Sequence, residues 1–193
     1  MSGWLRTDEY EEIRDTLRAC RHFLVLAKSD ITYWKWVFIA LHNAVQGCMV
    51  VALTGTDRFG ARNPEQERRW REAYAHREEL PREEEKLLSF LKLYEKIKKE
   101  GTLQSASVKR FDPQGSQDAS MKKLNEVRNE FIHFTPMGWA LDLSGADRVV
   151  IDCLDVATFL VGHSGRFFIF QSCKEGELLA LIDEIKSEFS IPK

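Results

Sequence analysis

Cysteine is scarce in this chain, and what there is has no metal or redox spacing. The four residues are Cys20, Cys48, Cys153 and Cys173. None forms a Cys-x-x-Cys pair and no Cys/His spacing resembles a zinc site, which excludes zinc-ribbon and dithiol chemistry. Cys20, Cys48 and Cys153 sit among apolar residues and read as reduced core thiols, an expectation that suits a cytoplasmic protein. There is no glycine-rich phosphate loop, so P-loop nucleotide hydrolysis has no support. There is no excess of either charge. The net charge of -2 excludes a uniformly basic nucleic-acid surface and leaves room for a local basic patch. Positions 1–15 are rich in acidic residues and have no apolar stretch, so no secretory leader is expected. Long apolar runs are also missing. The longest, 37–53, is interrupted by His42, Asn43 and Gln46. It is too short and too polar for a membrane span and fits a central helix buried in a bundle.

What is present is the composition of a globular protein. Hydrophobic residues make up 44% and charged residues 30% of 193 positions, enough for one domain over 1–193 with a real core. Helical periodicity dominates. Ile13, Leu17, Cys20, Leu24 and Ala27 form one apolar stripe, and Asp8 with Glu11 fits a capped start. A second helix is expected from about 29 or 30 to 53. Thr54-Gly55-Thr56-Asp57 reads as a helix stop and turn. The stretch 54–80 carries both charge signs and reads as a solvated excursion, with a short helix opening at Pro64. Pro81 suits the first position of a third helix using Leu87, Leu91, Tyr94 and Ile97. Residues 101–117 read as a loop. A further helix runs from about Asp118 to just before Pro136. Alternation of Trp139, Leu141 and Leu143 within 138–145 predicts a short strand or hairpin arm. Asp147 starts another helix through Leu160, with Gly162 and Gly165 as break points before 166–170. Leu178, Leu181, Ile182, Ile185 and Phe189 mark the last. With no internal repeat, the expectation is an all-α bundle of about five to six helices.

One short motif points to chemistry: Arg128-Asn129-Glu130-Phe131-Ile132-His133, on the last turns before Pro136. It places a permanent cation, an amide and an imidazole within two helical turns. Arginine holds phosphate and histidine titrates near neutrality, so the set suits phosphodiester cleavage without a metal. The pattern is short, with about 0.4 chance matches expected for the arginines and histidines of this chain. Arg71 and His76 supply one such match in a charged stretch. At 100° per residue, Met121, Leu124, Val127, Phe131 and Phe134 cluster on the core side. Asn129 and His133 share a face turned away from it. Arg128 lies on the flank, roughly 140° from His133, so one regular helix does not bring the groups to a point.

The motif resembles the Arg-polar-x3-His signature of the HEPN superfamily, whose members are helical bundles and commonly dimers. Many are metal-independent endoribonucleases with an active site formed where two copies of the motif face each other, and many others are inactive binding modules. The resemblance implies that His133 activates the ribose 2′-hydroxyl or protonates the leaving 5′-oxygen. It gives Arg128 the phosphate and Asn129 the orientation of His133 or a phosphate oxygen. It implies RNA as substrate, a homodimer, an antitoxin or operon partner, and neither metal nor other cofactor. The excursions at 54–80 and 101–117 and the segment 138–145 depart from a minimal bundle of that family.

Plainer readings stand beside this one. A cation and a histidine are favoured at a helix C-terminus by the helix dipole alone. Lys109 and Arg110, with Lys122 and Lys123, form the best local basic group, either a guide for RNA towards His133 or a solvated face. Tyr33, Trp34 and Trp36 suit base stacking or, more ordinarily, packing. His42 and Asn43 offer a buried polar site facing the motif helix or a hydrogen-bonded core histidine. His22 reads as solvated. His163-Ser164 lacks a third partner for hydrolase chemistry. Three functions therefore stay open: a dimeric ribonuclease, a non-catalytic HEPN-like binding module, and an unrelated helical interaction protein.

Overall fold

A computed structural model describes residues 3–54, 59–79, 83–103, 105, 108–133, 138, 140–167 and 172–189. Their elements are α1 (Glu9–Ala27), a 3-10 turn (Ile31–Tyr33), α2 (Trp34–Leu53), α3 (Pro64–His76), α4 (Phe90–Ile97), α5 (Gln117–Ile132), α6 (Ala146–His163) and α7 (Ser172–Ser187). The fold is an all-α helical bundle, and no strand occurs among the described residues. Pro81, Pro136, Phe134, Trp139, the turn at 55–57, the end of 166–170 and the side chain of Cys173 lie outside the described residues.

α1 starts where the sequence says it should. The Asp8 side chain accepts the Glu11 backbone N–H at 2.8 Å, and Glu9, Glu11 and Glu12 oppose the positive helix end. Its stripe of Ile13, Leu17, Cys20 and Leu24 is buried. α2 is apolar on nearly every side because it is surrounded: α1, α4, α5 and α6 all pack on it. With its preceding turn it is long and apolar enough to cross a membrane by length and composition, yet 67% of the apolar window is buried in the bundle. Gly47 allows the closest approach of α1, since a methyl there would stand 2.7 Å from Ile13 Cγ1. α6 packs on α2 and α5, and α7 closes the bundle against α1 and α6. Cys20, Cys48 and Cys153 are free thiols in this core. Burial pushes the Cys20 and Cys48 thiols up to about 12.

Three sequence expectations need correction. The helix expected from Pro81 starts instead at Phe90. Residues 83–88 are an extended strap tied to α3 and the residues before it, and those bonds outweigh local helix preference. Asn63 N–H bonds Lys86 O at 2.8 Å, Leu88 N–H bonds Ala61 O at 3.0 Å, and Gln66 Nε2 bonds Glu84 O at 2.9 Å. The excursion is therefore more than a solvated one. Phe59 and Trp70 are buried edge to face, Arg62 lies 4.3 Å over the Trp70 ring, and Glu85 pairs with Arg62 at 2.7 Å. The hairpin at 138–145 does not form among the described residues. Leu141 and Leu143 pack on the core without a partner strand, and Asp142 closes a turn on Ser144.

The loop 101–117 is anchored. Leu103 and Phe111 are buried, and Phe111 N–H donates to Ile97 O at 2.8 Å. Gly165 takes φ +74, and a Cβ there would meet the Ser105 backbone at 3.3 Å, so α6 turns at a position that needs glycine. Gly162, the other expected break, stays within α6.

Candidate functional site

α5 carries the motif, and its ends are set by two neighbours. At the start, Asp152 of α6 is buried and accepts Ser116 Oγ and Ser120 Oγ, each at 2.6 Å. Arg148 Nε pairs with the other Asp152 oxygen at 3.0 Å, so the buried charge is fully occupied. Along its length Met121, Leu124 and Val127 are buried, as the angular pattern requires. Phe131 is half-buried and packs against the core. At the end His133 is the cap residue, its N–H donating to Asn129 O at 2.9 Å, and it is exposed.

The motif residues separate into two groups. Arg128 Nη1 donates to Asn129 Oδ1 at 3.1 Å, so cation and amide are joined. Both are half-buried. Arg128 Nε is buried with no hydrogen-bond partner among the described residues. The Arg128 charge acts on His42 of α2. His133 points out from the end of the helix, and Glu130 is exposed. Arg128 and Asn129 are therefore joined, and among the described residues His133 shares no hydrogen bond with them through its side chain.

Behind Arg128 lies a polar pair within the core. His42 Nε2 is 3.4 Å from Asn125 Oδ1, and the ring stacks on Phe90 at 4.1 Å between centroids. His42 is 2% exposed, and Nδ1 has no partner among the described residues. Burial first, and then the Arg128 charge, push its pKa down to about 4. His42 is neutral at pH 7. Asn125 was not singled out from sequence. Its signal is an amide one turn before Arg128, on the flank next to the apolar stripe.

Two of the basic residues lie at the far end of the motif helix from His133. Lys122 and Lys123 are exposed near the start of α5, roughly 16 Å from His133 along the axis at 1.5 Å per residue. Lys109 Nζ donates to Ser105 O at 2.9 Å, and Arg110 stands 3.9 Å from Glu100. The cation placed on the motif's last turn is Lys35 of α2, which sequence reasoning missed. Its Nζ lies 5.9 Å from the Phe131 ring centroid and 5.0 Å from that of Trp36. Trp34, in contrast, packs inward on Phe38. His22 is exposed beside Phe23. His163 ends α6 against Phe159, and Ser164 is fully buried. Arg71 of the chance motif is bound to Glu67 at 2.9 Å. Among the described residues no group of three or more His, Cys, Asp or Glu could hold a metal ion.

No family model, curated protein or solved structure matches this chain.

Proposed function

We propose that the protein is a HEPN-like endoribonuclease in which two copies of the motif meet and cut RNA without a metal. The observation that carries this reading is the exposed His133 at the end of α5, one turn beyond the joined Arg128 and Asn129. One protomer holds a phosphate-binding pair and, apart from it, a proton-transfer group open to solvent. Two such ends face to face supply two histidines and two arginines around one phosphate.

The chemistry then balances within those groups. One His133 takes the proton of the ribose 2′-hydroxyl as its oxygen attacks phosphorus. The bond from phosphorus to the 5′-oxygen breaks, and the other His133 gives that oxygen a proton. Arg128, paired with Asn129, offsets the charge growing on the non-bridging oxygens. The products are a 2′,3′-cyclic phosphate and a 5′-hydroxyl.

A second reading, a binding module with the same fold and no catalysis, is favoured by the buried, unpartnered Nε of Arg128. Its guanidinium is half-buried and bound to Asn129, which leaves less of it open to a phosphate. The test is incubation of purified protein with RNA in EDTA, beside His133→Ala and Arg128→Ala, with analysis of the product ends. Cutting that is lost in both variants and leaves cyclic phosphates supports cleavage. Binding without cutting supports the module. Equal cutting by both variants overturns the assignment.

A further inference from the structure

The surface beside the motif carries an arrangement that the cleavage chemistry does not use. At the start of α2, Trp36 is 45% exposed and rests on Phe23 of α1, ring centroids 6.0 Å apart. Phe23 in turn stacks on Tyr33 at 6.3 Å and 20°. The Trp36 ring is therefore backed by other rings and still open to solvent. Lys35 lies over both Trp36 and Phe131, which ties this platform to the last turn of α5.

The charge of Lys35 is what selects a ligand class. Lys35 has no carboxylate partner among the described residues, whereas Arg18, Arg21 and Lys28 of α1 are paired with Glu177, Glu184 and Glu188. Asp30, the acid next to the turn before α2, is occupied by the Thr32 N–H and hydroxyl. An open aromatic face beside an unneutralised ammonium matches a flat base joined to an anion. Any nucleobase offers a π-face, and stacking tolerates sequence variation. The ammonium, now held only by ring quadrupoles, gains more from a phosphate.

We propose that Trp36 and Lys35 form a single-strand RNA subsite, Trp36 stacking a base and Lys35 holding a phosphate, next to the His133 end of α5. In taking RNA as the ligand the inference rests on the reading above. Phe131 and His133 stand on different sides of one turn, with exposed Ile132 between them. A strand seated on Trp36 therefore crosses the helix end before it reaches His133, and the stacked base is not at the bond that is cut.

The test separates the subsite from the cleavage. A fluorescein-labelled 2′-O-methyl oligouridine of about twelve nucleotides has no 2′-hydroxyl to attack with, so its anisotropy reports binding alone. In EDTA, Trp36→Ala is expected to weaken binding about tenfold, the order set by losing one stacked base. Trp36→Phe keeps affinity within about threefold. Lys35→Ala weakens binding and lowers the salt slope by about one. Trp36→Ala or Lys35→Ala binding as tightly as the unaltered protein overturns the proposal, as does no binding by the unaltered protein. Sedimentation supplies a further check, since conversion of a dimer to monomer by Trp36→Ala would assign this face to a second copy and overturn it. Unmodified RNA is tested in parallel. Trp36-dependent binding without cutting keeps the subsite and ends the cleavage reading. His133-dependent cutting with an unchanged KM in Trp36→Ala ends the subsite and keeps cleavage.

Discussion

His42 makes the stability of this protein depend on pH in a calculable way. Its imidazole is 2% exposed, stacked on Phe90, with Asn125 at one nitrogen and the Arg128 charge nearby. Burial and that charge hold its folded pKa at about 4, against about 6.5 in the unfolded chain. The unfolded state therefore binds more protons between these values, and stability falls as pH falls. The contribution is fully present above pH 6.5 and is lost progressively down to about 4, below which it is constant. Each pH unit inside the window is worth about 1.4 kcal/mol, so moving from pH 7.5 to 5.0 removes about 2 kcal/mol through this one group.

Other groups titrate in the same range, so the measurement is a difference. Urea unfolding followed by far-ultraviolet circular dichroism, at pH 7.5, 6.5, 5.8 and 5.0, is run on the protein and on His42→Gln. Glutamine removes the titrating group and keeps an amide able to meet Asn125. The variant starts less stable at pH 7.5 because the stack on Phe90 is lost. The gap between the two proteins then narrows by about 2 kcal/mol on reaching pH 5.0. A gap constant within about 0.5 kcal/mol would refute the reasoning, because His42 would then have the same proton affinity folded and unfolded.

Two further outcomes follow from the polar groups of the core. Asp152→Ala leaves the hydroxyls of Ser116 and Ser120 without their acceptor at the start of α5, while Arg148, 63% exposed, returns to water; the change should cost about 1–3 kcal/mol in the same unfolding assay. Arg128→Met replaces a half-buried guanidinium whose Nε is unpartnered, so stability should hold or rise by about 1–3 kcal/mol, and the proposed RNA cleavage, where the unaltered protein shows it, should be lost. A loss of stability would instead make Arg128 a structural anchor of α5.

Much of the fold was legible because the apolar spacing is regular. Ile13, Leu17, Cys20 and Leu24, and later Met121, Leu124 and Val127, are buried as their periodicity requires. The encirclement of α2 followed from its lack of a polar face. What was illegible depends on partners distant in sequence. Nothing local in 83–88 says that Gln66 and Asn63 will hold it extended. The alternation of Leu141 and Leu143 resembles a strand until the absence of a partner decides otherwise. Within the site, Asn129 and His133 were readable as outward-facing, but the approach of Lys35 to Phe131 needs the packing of α2 on α5.

The separation of Arg128 from His133 has a physical origin that also says what a complete site requires. Five positions at 100° leave the two side chains roughly 140° apart and about 7.5 Å along the axis. Arg128 takes Asn129 as its hydrogen-bond partner, and its charge acts on His42. That charge disfavours protonation of His42, and a neutral His42 in turn leaves the guanidinium without a like charge beside it. The buried pair is thus consistent only with His42 neutral. In this chain the cation is already paired with an amide, and the histidine at the end of α5 is exposed. On the proposed reading, a complete cleavage site needs two α5 ends to meet, because one regular helix does not bring Arg128 and His133 to a point.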